Sequence, residues 1–207
     1  MARPIAFDRD HVLQQAIDVF WLRGYTATSI KNLVNATGLQ PGSLYVRRFW
    51  RQAGAFLASL DAYFANLKKS LFNVLHSDDD PLQRLRAFFE QLVQESCNDP
   101  DRKGCLLINT LSEIPVQDAE INARLQRMFT EVRRELQQVL SEAQRQGRLA
   151  SKQNPEALAQ FLVTGIFGLR LFNKMQPDRL DLQIIVDQLL SVIDPDSRHR
   201  PSPFQHP

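Results

Sequence analysis

Apolar residues along this chain recur at steps of three and four, the spacing of helices that bury one face, while alternation at steps of two is scarce. Val12, Leu13, Ala16, Ile17 and Phe20 form a first stripe, with Asp8 or Asp10 available as a cap and Gly24 at its end. Thr28 or Ser29 can cap a second, short helix carrying Ile30, Leu33 and Val34, and Gly38 would stop it in the left-handed conformation. A third helix can start at Pro41, where a missing N–H is no loss, and carry Leu44 and Tyr45 inward. Longer stripes follow. Phe56 to Leu75 predicts a fourth helix closed by Asp78-Asp79-Asp80-Pro81, and a fifth runs through Leu85, Phe88, Phe89 and Leu92 to about Cys97. A short sixth covers Leu106 to Leu111 and halts before Pro115. The strongest pattern, from Ile121 to Ala143, predicts a long seventh helix that stops at Gly147. Asn154-Pro155 opens an eighth, from Leu158 to Phe172, and Leu182 to Ile193 forms a ninth. The expected fold class is all-α. Its expected division is a head over residues 1–50, a larger helical body over 51–194 and a frayed, proline-bearing tail over 195–207.

The composition narrows the function classes. With 207 residues, 43% of them hydrophobic and 23% charged, the chain is long enough to bury a core and reads as neither disordered nor membrane-spanning. No stretch approaches the roughly 20 apolar residues of a bilayer span, and the N-terminus lacks the apolar run of a signal peptide. Two cysteines with no CxxC spacing make a reducing cytoplasm the expected compartment. The net charge of +2 is unevenly placed. Residues 1–52 carry seven basic groups against three acids, leaving 18 basic and 20 acidic groups for the rest. A basic head on a mildly acidic body suggests that one end meets a polyanion.

Two short helices around a glycine-bearing turn, with a third packed behind them and local positive charge, are the minimum of a helix-turn-helix DNA reader. Gly24-Tyr25, Thr28-Ser29-Ile30, Leu33-Val34, Gly38 and Pro41-Gly42-Ser43-Leu44-Tyr45 resemble the N-terminal signature of the TetR family of bacterial transcriptional repressors. The nine predicted helices match as well. The resemblance implies a homodimer in which three N-terminal helices bind an operator in double-stranded DNA, helices four to seven enclose an inducer pocket, and helices eight and nine pair across a dimer interface. Arg3 could reach phosphate or the minor groove, and Thr28 and Ser29 offer hydroxyls and N–H groups at a helix N-terminus. Gln40, Pro41, Gly42, Ser43 and Arg47 fall on or beside the third helix, where base edges and backbone come within reach, and Tyr45 can turn its hydroxyl to a phosphate or serve only as a core ring. The stretch Tyr45-Val46-Arg47-Arg48-Phe49-Trp50-Arg51-Gln52 departs from the family pattern, which places Phe earlier and a phosphate-gripping lysine at the start of helix four. Arg51 stands nearest that lysine's place. Gly-Asp-Lys codons preceded by a T read as Trp-Arg-Gln one position out of phase, so a local compensated frame shift is one origin for the departure, and resequencing tests it.

In the body, Phe88, Leu92, Leu107, Leu111, Phe129, Phe161 and Phe167 are candidate pocket residues, each of which can equally be core. Cys105 follows Lys103-Gly104 at a predicted helix start, and a cation and a helix N-terminus both favour a reactive thiolate. The segment Gly104 to Thr110 also resembles an electrophile- and oxidant-responsive branch of these repressors, like the repressor of N-ethylmaleimide reductase. There a lysine late in helix eight lies near the cysteine, and Lys174 occupies its place. The plainer reading of Cys105 is a small buried hydrophobe. Gly165 and Gly168 each weaken a helix, by roughly 1 kcal/mol relative to alanine, which close approach to another helix would offset. With Leu169, Phe172, Ile185 and Leu189 they are candidates for a two-fold interface, or for internal packing against helix nine.

No cofactor or metal is expected. An enzyme is disfavoured because His11, His76, His199 and His206 form no catalytic or metal-ligand pattern and no glycine-rich phosphate loop is present. A helical adaptor that binds proteins without DNA accounts for the amphipathic helices but not for the basic head.

Overall fold

Capping residues set several of the helix limits. In a computed structural model, which describes residues 9–38, 52–115 and 118–193, α1 (Arg9–Arg23) ends where Gly24 turns to a φ of +81° and donates its N–H to the Phe20 carbonyl. Ser29 opens α2 (Ile30–Thr37) with a capping box: its Oγ accepts from Asn32 N, and its own N–H donates to Asn32 Oδ1. Gly38 closes α2 at φ +65°. Asp80 and Asn154, each followed by proline, cap α4 (Pro81–Asn98) and α7 (Pro155–Phe172) by accepting two backbone N–H groups. Asp178 caps α8 (Arg179–Leu190) in the same manner with one. Between them lie α3 (Gln52–Leu67), α5 (Leu106–Glu113) and the long α6 (Ala119–Arg145), and all described regular structure is helical. The predicted third helix, from Pro41, lies outside the described residues.

The predicted fourth stripe is not one uniform helix. After α3 the chain widens into a π-helical segment, Lys68–Phe72, before a last α-turn, Asn73–Leu75, so Leu71 and Phe72 are both buried. A 3.6-residue period does not reveal such a widening. A short 3-10 turn, Asn173–Met175, likewise extends α7.

The chain forms two compact units, each discontinuous in sequence. The first comprises Met1–Leu67 and Cys105–Arg127. Its core joins Ala16, Ile17 and Phe20 of α1 to Leu33 of α2 and to Phe56 and Leu60 of α3, with the Phe20 and Phe56 rings edge to face at 4.8 Å. The second comprises Lys68–Gly104 and Met128–Pro207, and α8 packs there on α4 and α7. Leu85, Phe88, Phe89 and Leu92 of α4 are sealed in its core. No described helix is long and apolar enough to cross a membrane.

Gly165 of α7 has a definite packing role. A Cβ built there would lie 2.5 Å from Leu189 Cδ2 and 2.7 Å from its Cδ1, so any larger residue requires the Leu189 side chain of α8 to shift. Gly165→Ala is expected to destabilise the chain by about 1–3 kcal/mol despite alanine's better helix propensity, measured as a lower urea midpoint at unchanged m-value.

Candidate nucleic-acid interface and sensor segment

The head's described part presents Ser29 as the exposed N-cap of α2, where N–H groups and the positive end of the helix dipole face outward. Thr28 corrects its expected role. Its residue is 1% exposed, and Oγ1 donates to the Gly24 carbonyl at 2.6 Å, so the hydroxyl closes the turn and is not offered to phosphate. Arg3, Gln40, Pro41, Gly42, Ser43, Tyr45, Arg47 and Arg51 lie outside the described residues. Gln52, the last residue of the unusual stretch, opens α3 and donates from Nε2 to the Tyr25 carbonyl at 2.7 Å. Tyr25 stacks on Phe56, with ring centroids 4.7 Å apart. Its phenol titrates above the ordinary range because burial, and then the negative charge of Asp118, disfavour the phenolate.

Cys105 sits where the sequence placed it, at the N-cap of α5, and it is buried, with no hydrogen bond from its side chain to the cap. Lys174 lies on the 3-10 turn after α7, in the other compact unit, and its side chain is exposed. The loop that leads to Cys105 is tightly tied within its own unit. Arg102 donates to the Ser96 carbonyl and to Asn173 Oδ1, while buried Arg170 donates to Ser96 Oγ and Glu95 Oε2. Gly104 takes a φ of +75°, and a Cβ there would lie 3.1 Å from the Arg170 carbonyl and 3.3 Å from Lys174 Cγ. Both reasons make it glycine. Sequence reading missed Arg102 and Arg170, whose partners are brought together only by the fold.

The pocket candidates differ in burial. Phe88, Leu92 and Leu107 are fully enclosed core residues, Leu111 and Phe161 are exposed, and the Phe129 and Phe167 rings meet at a tilt with centroids 4.5 Å apart. A cleft of about 490 Å³ occurs elsewhere, in the first unit, between Leu13 of α1 and Gly54, Leu57, Ala58 and Ala62 of α3, beside the Arg124–Asp61 ion pair.

The interface candidates also differ in burial. Leu169 is completely buried within the chain, Gly165 serves the contact with Leu189, and Phe172, Ile185 and Leu189 are half-buried. Of the six, only Gly168 is exposed, with nothing in its own chain within 4 Å of a built Cβ. It belongs to an outward line one step round the helix: Phe161, Thr164, Gly168, Leu171 and Met175 on α7 and its extension; Leu180 and Ile184 of α8 are exposed as well. The large apolar residues among them are 37–76% exposed. A helix that is apolar on two sides has two contacts to make.

Among the described residues no group of three or more His, Cys, Asp and Glu side chains is placed to hold a metal ion. The described residues supply α1 and the short α2 of the expected three-helix head, with α2 opening on an exposed cap, and the class of protein is fixed by comparison with known families. Residues 81–188 match the family model described as Tetracyclin repressor-like, C-terminal domain. The chain belongs to the TetR family of transcriptional regulators. It is 30% identical to the HTH-type transcriptional repressor ComR of Escherichia coli, over 82% of this chain and 80% of that one. It also resembles a cysteine mutant of the TetR family transcriptional regulator CifR solved with 26-base-pair double-strand operator DNA. The TM-score is 0.82 at 29% identity, covering 96% of this chain and all of the other. The HTH-type transcriptional repressor NemR of Escherichia coli is 25% identical over 51% of this chain and 53% of its own length.

Proposed function

We propose that this chain is a homodimeric DNA-binding repressor that leaves its operator on a small-molecule or electrophile signal. The observation that carries the DNA reading is the head: α1 and α2 set on a common core, with the α2 N-terminus capped and exposed where a phosphate can be received. CifR, solved on operator DNA, and ComR, a repressor, support it from outside. The exposed apolar residues of α7 and α8 support the dimer, because two copies meeting about a two-fold axis would bury the same residues on each. Two heads making six or more phosphate contacts should lose about a thousandfold or more in affinity for the DNA upstream of the chain's own gene between 50 and 200 mM salt. Fluorescence anisotropy measures this. Salt-independent binding, or none to any duplex, would favour the adaptor.

The trigger is proposed to be Cys105. Its support is a sulfur at a helix N-cap with no competing cap bond, and the similarity to NemR. Modification of a buried residue there would force α5 to repack. N-ethylmaleimide is expected to release the native protein from DNA and to leave Cys105→Ser bound, with half-release concentrations at least about tenfold apart on a gel-shift titration. Equal release would reject Cys105 as the trigger.

A further inference from the structure

The turn between α1 and α2 is held by a residue far along the chain. After Gly24, the backbone N–H groups of Tyr25 and Thr26 both donate to one carboxylate, at 2.9 Å to Glu113 Oε2 and 2.6 Å to Glu113 Oε1. Glu113 is the last residue of α5, the helix that Cys105 opens, and all of these groups belong to the first compact unit. Gly24 has a second reason to be glycine: a Cβ there would lie 2.6 Å from Glu113 Oε2. The carbonyls of the same turn are taken by Thr28 and by Gln52. A carboxylate at a helix C-terminus stands at the unfavourable end of the dipole, so this position weakens α5 unless the acid gains something elsewhere. Two charge-assisted hydrogen bonds are that gain, and a bidentate grip fixes direction as well as distance.

From this geometry we propose that Glu113 is the positioning residue that makes the α1–α2 turn follow α5. The inference rests on the repressor reading and deepens it by naming the link between the segment opened by Cys105 and the DNA-binding head. Coupling of this kind is reciprocal and does not require DNA to be detected. Loosening α5 must loosen the turn, and only while the carboxylate is present.

The test is amide hydrogen exchange on the full-length chain. In Glu113→Gln one acceptor oxygen is replaced by an NH2 group that faces a second donor, at nearly unchanged shape. Tyr25 and Thr26 amides are expected to exchange about tenfold faster in E113Q, with far-UV circular dichroism unchanged. Leu107→Ala, which loosens α5 from within, is expected to speed the same two amides in the native background and to add nothing in E113Q. Ile108→Val serves instead if Leu107→Ala does not fold. Equal rates at Tyr25 and Thr26 in the native and E113Q chains would overturn the proposal. So would a Leu107→Ala effect that persists in E113Q. Failure of the repressor reading would appear separately, as absence of duplex binding, and leaves the exchange comparison intact.

Discussion

Leu171→Glu is expected to sediment as a monomer and to lose operator affinity by about a hundredfold or more. Leu171 is 53% exposed on the single chain and lies between Gly168 and Met175 on the outward line of α7 and its extension. In a two-fold interface the substitution places two carboxylates in one apolar seam, and each must be stripped of water without a partner, at a cost of several kcal/mol. The monomer's own fold should survive, since the side chain returns to solvent when the copies part. Loss of the second head then removes the effective concentration that linkage supplies, typically in the millimolar range. Sedimentation velocity and anisotropy on the same sample separate the two effects. A dimer that persists with full affinity would place the interface on another face.

Phe88→Ala is expected to lower stability by about 3–5 kcal/mol, which for a chain of this size is a fall of roughly 6–20 °C in Tm. Phe88 is 1% exposed and meets Phe89 edge to face at 5.5 Å, so truncation leaves a cavity bounded by core residues of α4. A pocket residue would behave otherwise. Truncating a side chain that lines a ligand cavity costs little stability and changes inducer response, whereas Phe88→Ala should change thermal unfolding and leave the inducer profile of the folded fraction alone. Differential scanning calorimetry decides between the two.

Local chemistry explains why so much of the fold could be read from the residues. Asp80-Pro81, Asn154-Pro155, Gly38 and Gly147 act on the helix they border, and the backbone answers them within one turn. The widened turn at Lys68–Phe72 is different, because nothing in a stripe of apolar residues distinguishes a π segment from continued α-helix. Helix α7 shows the limit for sites. Both of its faces are apolar, and the small residue Gly165, which looked suited to a two-fold axis, is consumed by Leu189 in the same chain. Phe161, Gly168 and Leu171 form a second stripe on the outer side of α7 at steps of seven and three. Glu113 was out of reach altogether, since its partner Tyr25 is 88 residues away and its own neighbours predict only a solvated acid at a helix end.

The head's reading of DNA can be separated from every question about its inducer by counting chains on an operator. Native mass spectrometry of the protein with the duplex from upstream of its own gene should give two chains, or a multiple of two, per duplex, and the complex should vanish as salt is raised. One chain per duplex, or no complex at any salt, would contradict a paired helix-turn-helix regulator.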